Sequence, residues 1–111
     1  MTGFRIEDET AQKAFEVLRS GQHAKARAAY EFSEKQLKTV LARRATGSNA
    51  SSIAARQDEA LASVEYAEAL EAFRLVAEAY YGARDKREAA SACLDAWRTQ
   101  AADQRAMGRV G

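Results

Sequence analysis

The chain of 111 residues has no proline, one cysteine, one histidine and one tryptophan, and each shortage excludes something. Without proline, no interior position removes an i→i−4 hydrogen bond or jams the preceding helical turn. A single cysteine, Cys93, rules out an internal disulfide framework. One histidine, His23, with one cysteine leaves no spacing of His, Cys, Asp or Glu that resembles a metal site. No Gly-rich loop follows a strand, so there is no phosphate cradle of the nucleotide-binding type. Nor is there an apolar stretch approaching the ~18 residues that span a bilayer. No charged n-region leads into an apolar h-region, so the expected compartment is the cytosol. The chain reads as a non-enzyme without cofactor or membrane partner, with His23 expected in solvent and Cys93 as a small packed residue.

What remains in abundance is alanine and charge. There are 26 alanines against 25 Val, Ile, Leu, Met, Phe, Trp and Tyr residues together. Alanine favours helix and buries little. Such a chain makes thin helices whose apolar stripes are most easily covered by another copy, so an all-α oligomer is expected, as one domain over 1–111.

Glu7, Asp8 and Glu9 before Thr10 put acids at the positive end of a first helix. It runs to about Arg19, with Ala11, Ala14, Phe15 and Leu18 on one face and Gly21 after it. Phe4 and Ile6 are expected to fold back on that face. A second helix from Gln22 to Ala45 carries Ala26, Tyr30, Ser33, Leu37, Val40 and Arg44 at alternating gaps of four and three, a seam of coiled-coil type. The break is Thr46-Gly47-Ser48-Asn49-Ala50-Ser51-Ser52, where Gly47 is expected as a left-handed C-cap and the polar residues as N-caps. Asn49-Ala50-Ser51 matches a glycosylation sequon but reads here as part of that capping loop.

A short helix from Ser52 to Ala62 follows, and Ser63 then caps a long helix from Val64 to about Met107. Its seam reads Tyr66, Leu70, Phe73, Ala77 and Tyr80, turns polar at Arg84 and Arg87, and resumes on a rotated face as Ala90, Leu94, Trp97 and Ala101. At 1.5 Å per residue this helix is ~65 Å long against ~36 Å for the second, so the N-terminal helix or a neighbouring subunit has to cover the excess. Gly82 interrupts it at about 1 kcal/mol relative to alanine, which reads as room for a kink or a close helix crossing. The architecture expected is an antiparallel helical hairpin with a short N-terminal helix and a long C-terminal one.

Net charge is only +1, yet residues 21–47 hold six Lys/Arg against two acids and residues 48–80 hold two against six. Such alternation fits salt-bridged helix pairing as well as a binding surface. Two clusters suit nucleic acid. One is Lys35, Lys38, Arg43 and Arg44 at the end of the second helix, with Lys25 and Arg27 earlier. The other is Arg84, Lys86, Arg87, Arg98, Arg105 and Arg109, with Tyr80, Tyr81 and Trp97 as stacking faces. Single strands are held by cations along a groove with aromatic platforms. Trp97 on the Leu94 stripe is expected as a core or interface anchor rather than a base platform, with Tyr66, Leu70, Phe73 and Leu94 as further interface residues. Tyr81-Gly82-Ala83-Arg84-Asp85 also matches the YxxxD/E tail signal of small secreted helical hairpins, but their Trp-x-Gly turn is replaced here by Thr46-Gly47-Ser48-Asn49.

The stretch Ala60-Leu61-Ala62-Ser63-Val64-Glu65-Tyr66-Ala67-Glu68-Ala69-Leu70-Glu71-Ala72, with Ala96-Trp97-Arg98-Thr99-Gln100 and Arg105-Ala106-Met107-Gly108-Arg109 further on, resembles small helical proteins of tailed phages and prophages that lie among recombination genes. In size and order of parts this family looks like the UvsY-type recombination mediators. The resemblance implies a ring-like oligomer that binds single-stranded DNA and helps load a phage or host recombinase, or an annealing protein. It also implies DNA contacts near the end of the helix before the turn, where Lys38, Arg43 and Arg44 stand. The competing expectation is a helical adaptor or inhibitor that binds a host or phage protein through the same helix faces.

Overall fold

The computed structural model describes residues 5–110, with side chains through 108; Phe4 and the Arg109 side chain, both named above, lie outside the described residues. Four helices follow one another: α1 (Asp8–Arg19), α2 (Gln22–Thr46), α3 (Ile53–Leu61) and α4 (Val64–Val110). No strand occurs among the described residues. The chain is all-α, with each helix boundary within three residues of its expected place.

The caps follow local chemistry. Asp8 and Glu9 stand in the first turn of α1, where carboxylates complement the positive end of the helix. Gly21 follows with φ at +73°, a conformation that costs glycine nothing and other residues a steric clash. Ser52 Oγ accepts from the Ala55 N–H at 3.1 Å and Ser63 Oγ from the Tyr66 N–H at 3.1 Å, so two serines supply the N-caps of α3 and α4. Gly47 departs from expectation. Its φ is not positive; α2 closes instead by a hydrogen bond from the Gly47 N–H to the Arg43 carbonyl at 3.0 Å. The turn is then held by Ser48 Oγ donating to Glu59 at 2.6 Å and Arg56 Nε donating to the Ala50 carbonyl at 2.8 Å. Side chains of α3 thus fix the turn that a left-handed glycine was expected to make.

The described residues pack as two compact units. One joins residues up to His23 with those from Gly82 onward, and the other is Ala24–Tyr81. In the first, Ala11 and Ala14 of α1 meet Ala90 and Leu94 of α4, with Phe15, Val17, Cys93 and Trp97 packed around them. Leu94, 1% exposed, is its largest fully buried side chain. Ala90, Leu94 and Trp97 of that stripe therefore lie on the face that α1 covers, while Leu18, expected on the packed face of α1, stands partly in solvent. Ahead of α1, Ile6 is tied to α4 by a reciprocal pair: its N–H donates to Gln100 Oε1 at 2.8 Å and its carbonyl accepts from Gln100 Nε2 at 3.0 Å.

In the second unit Tyr30 of α2 lies 5.3 Å from Phe73 and 4.8 Å from Tyr80, ring centre to ring centre, and Arg44 lies 3.4 Å from Glu65. Only Ser33 and Ala60 are fully withdrawn from solvent in this unit; Leu37, Val40, Tyr66, Phe73 and Tyr80 are half-buried. Leu70, read in the α4 seam, is 46% exposed, and Ala69 and Val76 turn inward beside Tyr66, Phe73 and Tyr80. A seam read at 3.5 residues per turn drifts by ~20° per heptad on a straight helix, enough to swing one row of residues to its edge. At Gly82, a Cβ would meet nothing within 4 Å, so no helix crosses closely there.

Candidate nucleic-acid interface

The seam residues Ala26, Tyr30, Ser33, Leu37 and Val40 set the inward face of α2. At 100° per residue, Lys25, Phe32, Lys35, Thr39 and Arg43 then fall on the opposite side. Phe32 is 62% exposed there. With Lys35, Gln36, Thr39, Val40 and Arg43 it lines a shallow depression of about 240 Å³. Lys35, Lys38 and Arg43 form no ion pair with any described residue, and all three are exposed. Arg44, one residue further, belongs to the seam and turns to Glu65, while Arg27 is spent on Glu31 at 3.1 Å within α2. The sequence cluster therefore divides: Lys35, Lys38 and Arg43 face outward, and Arg44 braces α2 against α4.

Phe32 was absent from the sequence clusters, although the pattern carried a signal. It follows Tyr30 by two positions, about 200° round the helix, where the binary pattern of a packed helix calls for a polar residue.

The remaining cations lie in the other unit. Arg84 Nε is 3.9 Å from both Asp85 and Glu88. Arg98 is 3.6 Å from Asp95 and its guanidinium sits 6.0 Å from the centre of the Phe15 ring, at the outer range of a cation–π contact. Arg87, Lys86 and Arg105 are exposed. Of the aromatic residues read as stacking faces, Trp97 is engaged twice by its own chain. Its ring takes an edge-to-face contact with Phe15 at 6.3 Å, and its Nε1–H donates to Asp8 Oδ1 at 3.0 Å. Tyr80 and Tyr81 join Tyr30 in one ring cluster. The hydrogen bond with Tyr81, and after it partial burial, hold the Tyr30 phenol above its ordinary value.

Beside that cluster, Ala67, Leu70, Phe73 and Ala77 form an open apolar groove on α4, bordered by Glu71 and Arg74, with a volume of about 490 Å³. Arg74 bridges Glu71 at 2.7 Å and Glu78 at 3.2 Å, and its hydrogen bond holds the Glu71 carboxyl below the usual range. Of the residues read as interface anchors, Leu70 and Phe73 line this groove and Tyr66 is half-buried in the same unit. Leu94 and Trp97 are taken up by α1 of their own chain.

Among the described residues no three His, Cys, Asp or Glu side chains gather as metal ligands, and no helix is long and apolar enough to cross a membrane. Compared with known protein families, curated proteins and solved structures, the chain matches none.

Proposed function

We propose that the chain is a non-catalytic protein of the bacterial cytoplasm that binds single-stranded DNA as a homo-oligomer of helical hairpins, with the strand lying along the outer face of α2. The observation that carries this reading is Phe32. A large exposed ring among cations with no carboxylate partner among the described residues offers what a strand needs: a flat surface for a base and charge for the adjoining phosphates. A role as recombination accessory, presenting the strand to a recombinase or annealing protein, rests on the sequence resemblance to phage proteins of the mediator type. The apolar groove around Leu70 and Phe73 favours the second reading, an adaptor or inhibitor that grips another protein.

Anisotropy titration with labelled single-stranded DNA at two salt concentrations tests the proposal. Affinity falls with salt, and each of Lys35→Gln, Lys38→Gln and Arg43→Gln reduces the logarithmic slope by about 0.7. Phe32→Ala costs about 1–3 kcal/mol of affinity with helix content unchanged. A triple cation variant that keeps wild-type affinity and slope rejects the α2 site, and absence of any salt-sensitive binding favours the adaptor.

A further inference from the structure

Phe32 stands 62% exposed on the outer face of α2, and the open groove of Ala67, Leu70, Phe73 and Ala77 on α4 has a volume of about 490 Å³. Both belong to the unit Ala24–Tyr81. The ring cannot reach the groove of its own chain. Tyr30 faces Phe73 and Tyr80 of the same α4, and Phe32, two positions on and about 200° round the helix, is turned away from it. Charge is complementary as well. Of the six cations of α2, Arg44 is spent on Glu65 and the other five stand against Glu31 and Glu34, a surplus of three. On α4 from Tyr66 to Tyr81, Glu68, Glu71 and Glu78 stand against Arg74 alone, a surplus of two negative charges. Glu71 and Glu78 share Arg74, whereas Glu68 and Lys35, both exposed, form no ion pair with any described residue.

We propose that the outer face of α2 docks on the α4 groove of a second copy, Phe32 seating between Leu70 and Phe73 and Lys35 meeting Glu68, and that a single strand bound to α2 displaces it. The displacement rests on the α2 reading above; the docking stands on packing and charge alone. Ring and groove lie on different faces of one chain, so the contact is head to tail, each copy giving a ring to the next and taking one from the copy before. A phenylalanine ring has about 150–250 Å² to bury, and the unlike charges around it fix which way it enters. One ring with a few charges falls well short of the roughly 1,200 Å² of a stable complex, so the contact is weak, about half-formed at tens of micromolar. At half occupancy it shifts the folding equilibrium only about twofold, so loss of the ring scarcely alters stability. A strand on α2 takes the place of the groove, and the copies then follow one another along the strand.

Two variants of the full chain isolate a single contact. Phe32→Ala keeps the groove and lacks the ring, whereas Leu70→Asp keeps the ring and spoils the groove. Both positions are exposed, so helix content by circular dichroism is retained. In sedimentation at tens of micromolar each variant alone is a monomer, their equimolar mixture rises toward the dimer and stops there, and the wild-type chain goes on to larger species. A wild-type chain that stays monomeric, a Phe32→Ala variant that assembles like wild type, or a mixture that remains monomeric overturns the docking. An oligothymidylate then dissolves the mixed dimer, because the Leu70→Asp partner alone carries the intact α2 face. In anisotropy titration Leu70→Asp binds the same oligothymidylate about twofold more tightly than wild type does at a concentration where half the α2 faces are covered. A mixed dimer that persists with the strand bound to it overturns the displacement. If the oligothymidylate binds neither variant nor wild type, the α2 reading and the displacement fall together while the mixed dimer still establishes the docking, so the two failures are read separately.

Discussion

Leu94 and Phe32 are both large apolar side chains near the middle of a long helix, and their surroundings give them opposite work. Leu94 is 1% exposed against Ala11, Ala14 and Ala90, whereas Phe32 is 62% exposed. Truncating Leu94 removes transfer energy and leaves a cavity between helices, so Leu94→Ala lowers stability by about 2–5 kcal/mol. Phe32→Ala changes it by no more than about 0.5 kcal/mol, as surface substitutions usually do. Urea unfolding of both variants at one fixed protein concentration checks this. Comparable losses from the two would mean that Phe32 is packed against something, and a stacking role would lose its main support. Trp97 sits on the Leu94 stripe as a packed anchor, and what covers it is α1 of its own chain. With Phe15 at its ring and Asp8 on its Nε1–H, it anchors α1 to α4 inside one chain.

The helices themselves were legible because their signals are local: acids in the first turn of α1, a glycine after it, serines before α3 and α4, and no proline anywhere. The α2 seam was legible for the same reason through its first five residues, since Ala26, Tyr30, Ser33, Leu37 and Val40 are all withdrawn at least partly from solvent, whereas Arg44, the sixth, is exposed. Gly47 was misread because a tertiary contact decided it, and Leu70 because a straight helix departs from a 3.5-residue seam. Glu59 and Arg56 reach back from α3 to fix the turn, and the 3.5-residue seam drifts until Ala69 and Val76 replace Leu70. The outward group of Phe32, Lys35, Lys38 and Arg43 was legible only in its cations; the ring among them and the separate fate of Arg44 depend on which face of α2 meets α4. Two glycines test how far local rules extend. Gly21, at φ +73°, loses about 1 kcal/mol on replacement by alanine, whereas Gly82, helical and in open space, gains up to about 1 kcal/mol from Gly82→Ala. Thermal unfolding of the pair should show melting shifts of opposite sign. A loss at Gly82 would instead reveal a neighbour close to that helix face in solution.

The whole chain presents a shortage of core. Among the described residues the fully buried apolar side chains are four alanines and Leu94, while Ile53 is 76% exposed and Leu61, Val64, Leu70, Leu75 and Met107 also stand largely open. Isolated exposed leucines are ordinary, but Leu70 lies in a groove with Ala67, Phe73 and Ala77, and clustered apolar surface of this kind marks an interaction site. Charge gives a second reason for a homotypic contact: residues 21–47 carry a surplus of four positive charges and residues 48–80 a surplus of four negative ones, so every copy carries segments of opposite charge. Contacts between unlike patches repeat from copy to copy and close as rings when the rotation allows. If the α4 groove takes part, stability is linked to assembly, because binding to the folded state alone raises the melting temperature with concentration. The wild-type chain is therefore expected to melt higher as its concentration increases and to sediment as an oligomer. Leu70→Asp, at a half-exposed position that accepts a charge without disturbing the inward residues Ala69, Phe73 and Val76, should shift sedimentation toward the monomer and flatten that dependence while helix content is retained. A wild-type chain that is monomeric at tens of micromolar, with a concentration-independent melting temperature, would leave the groove to a different protein and bring the adaptor reading forward.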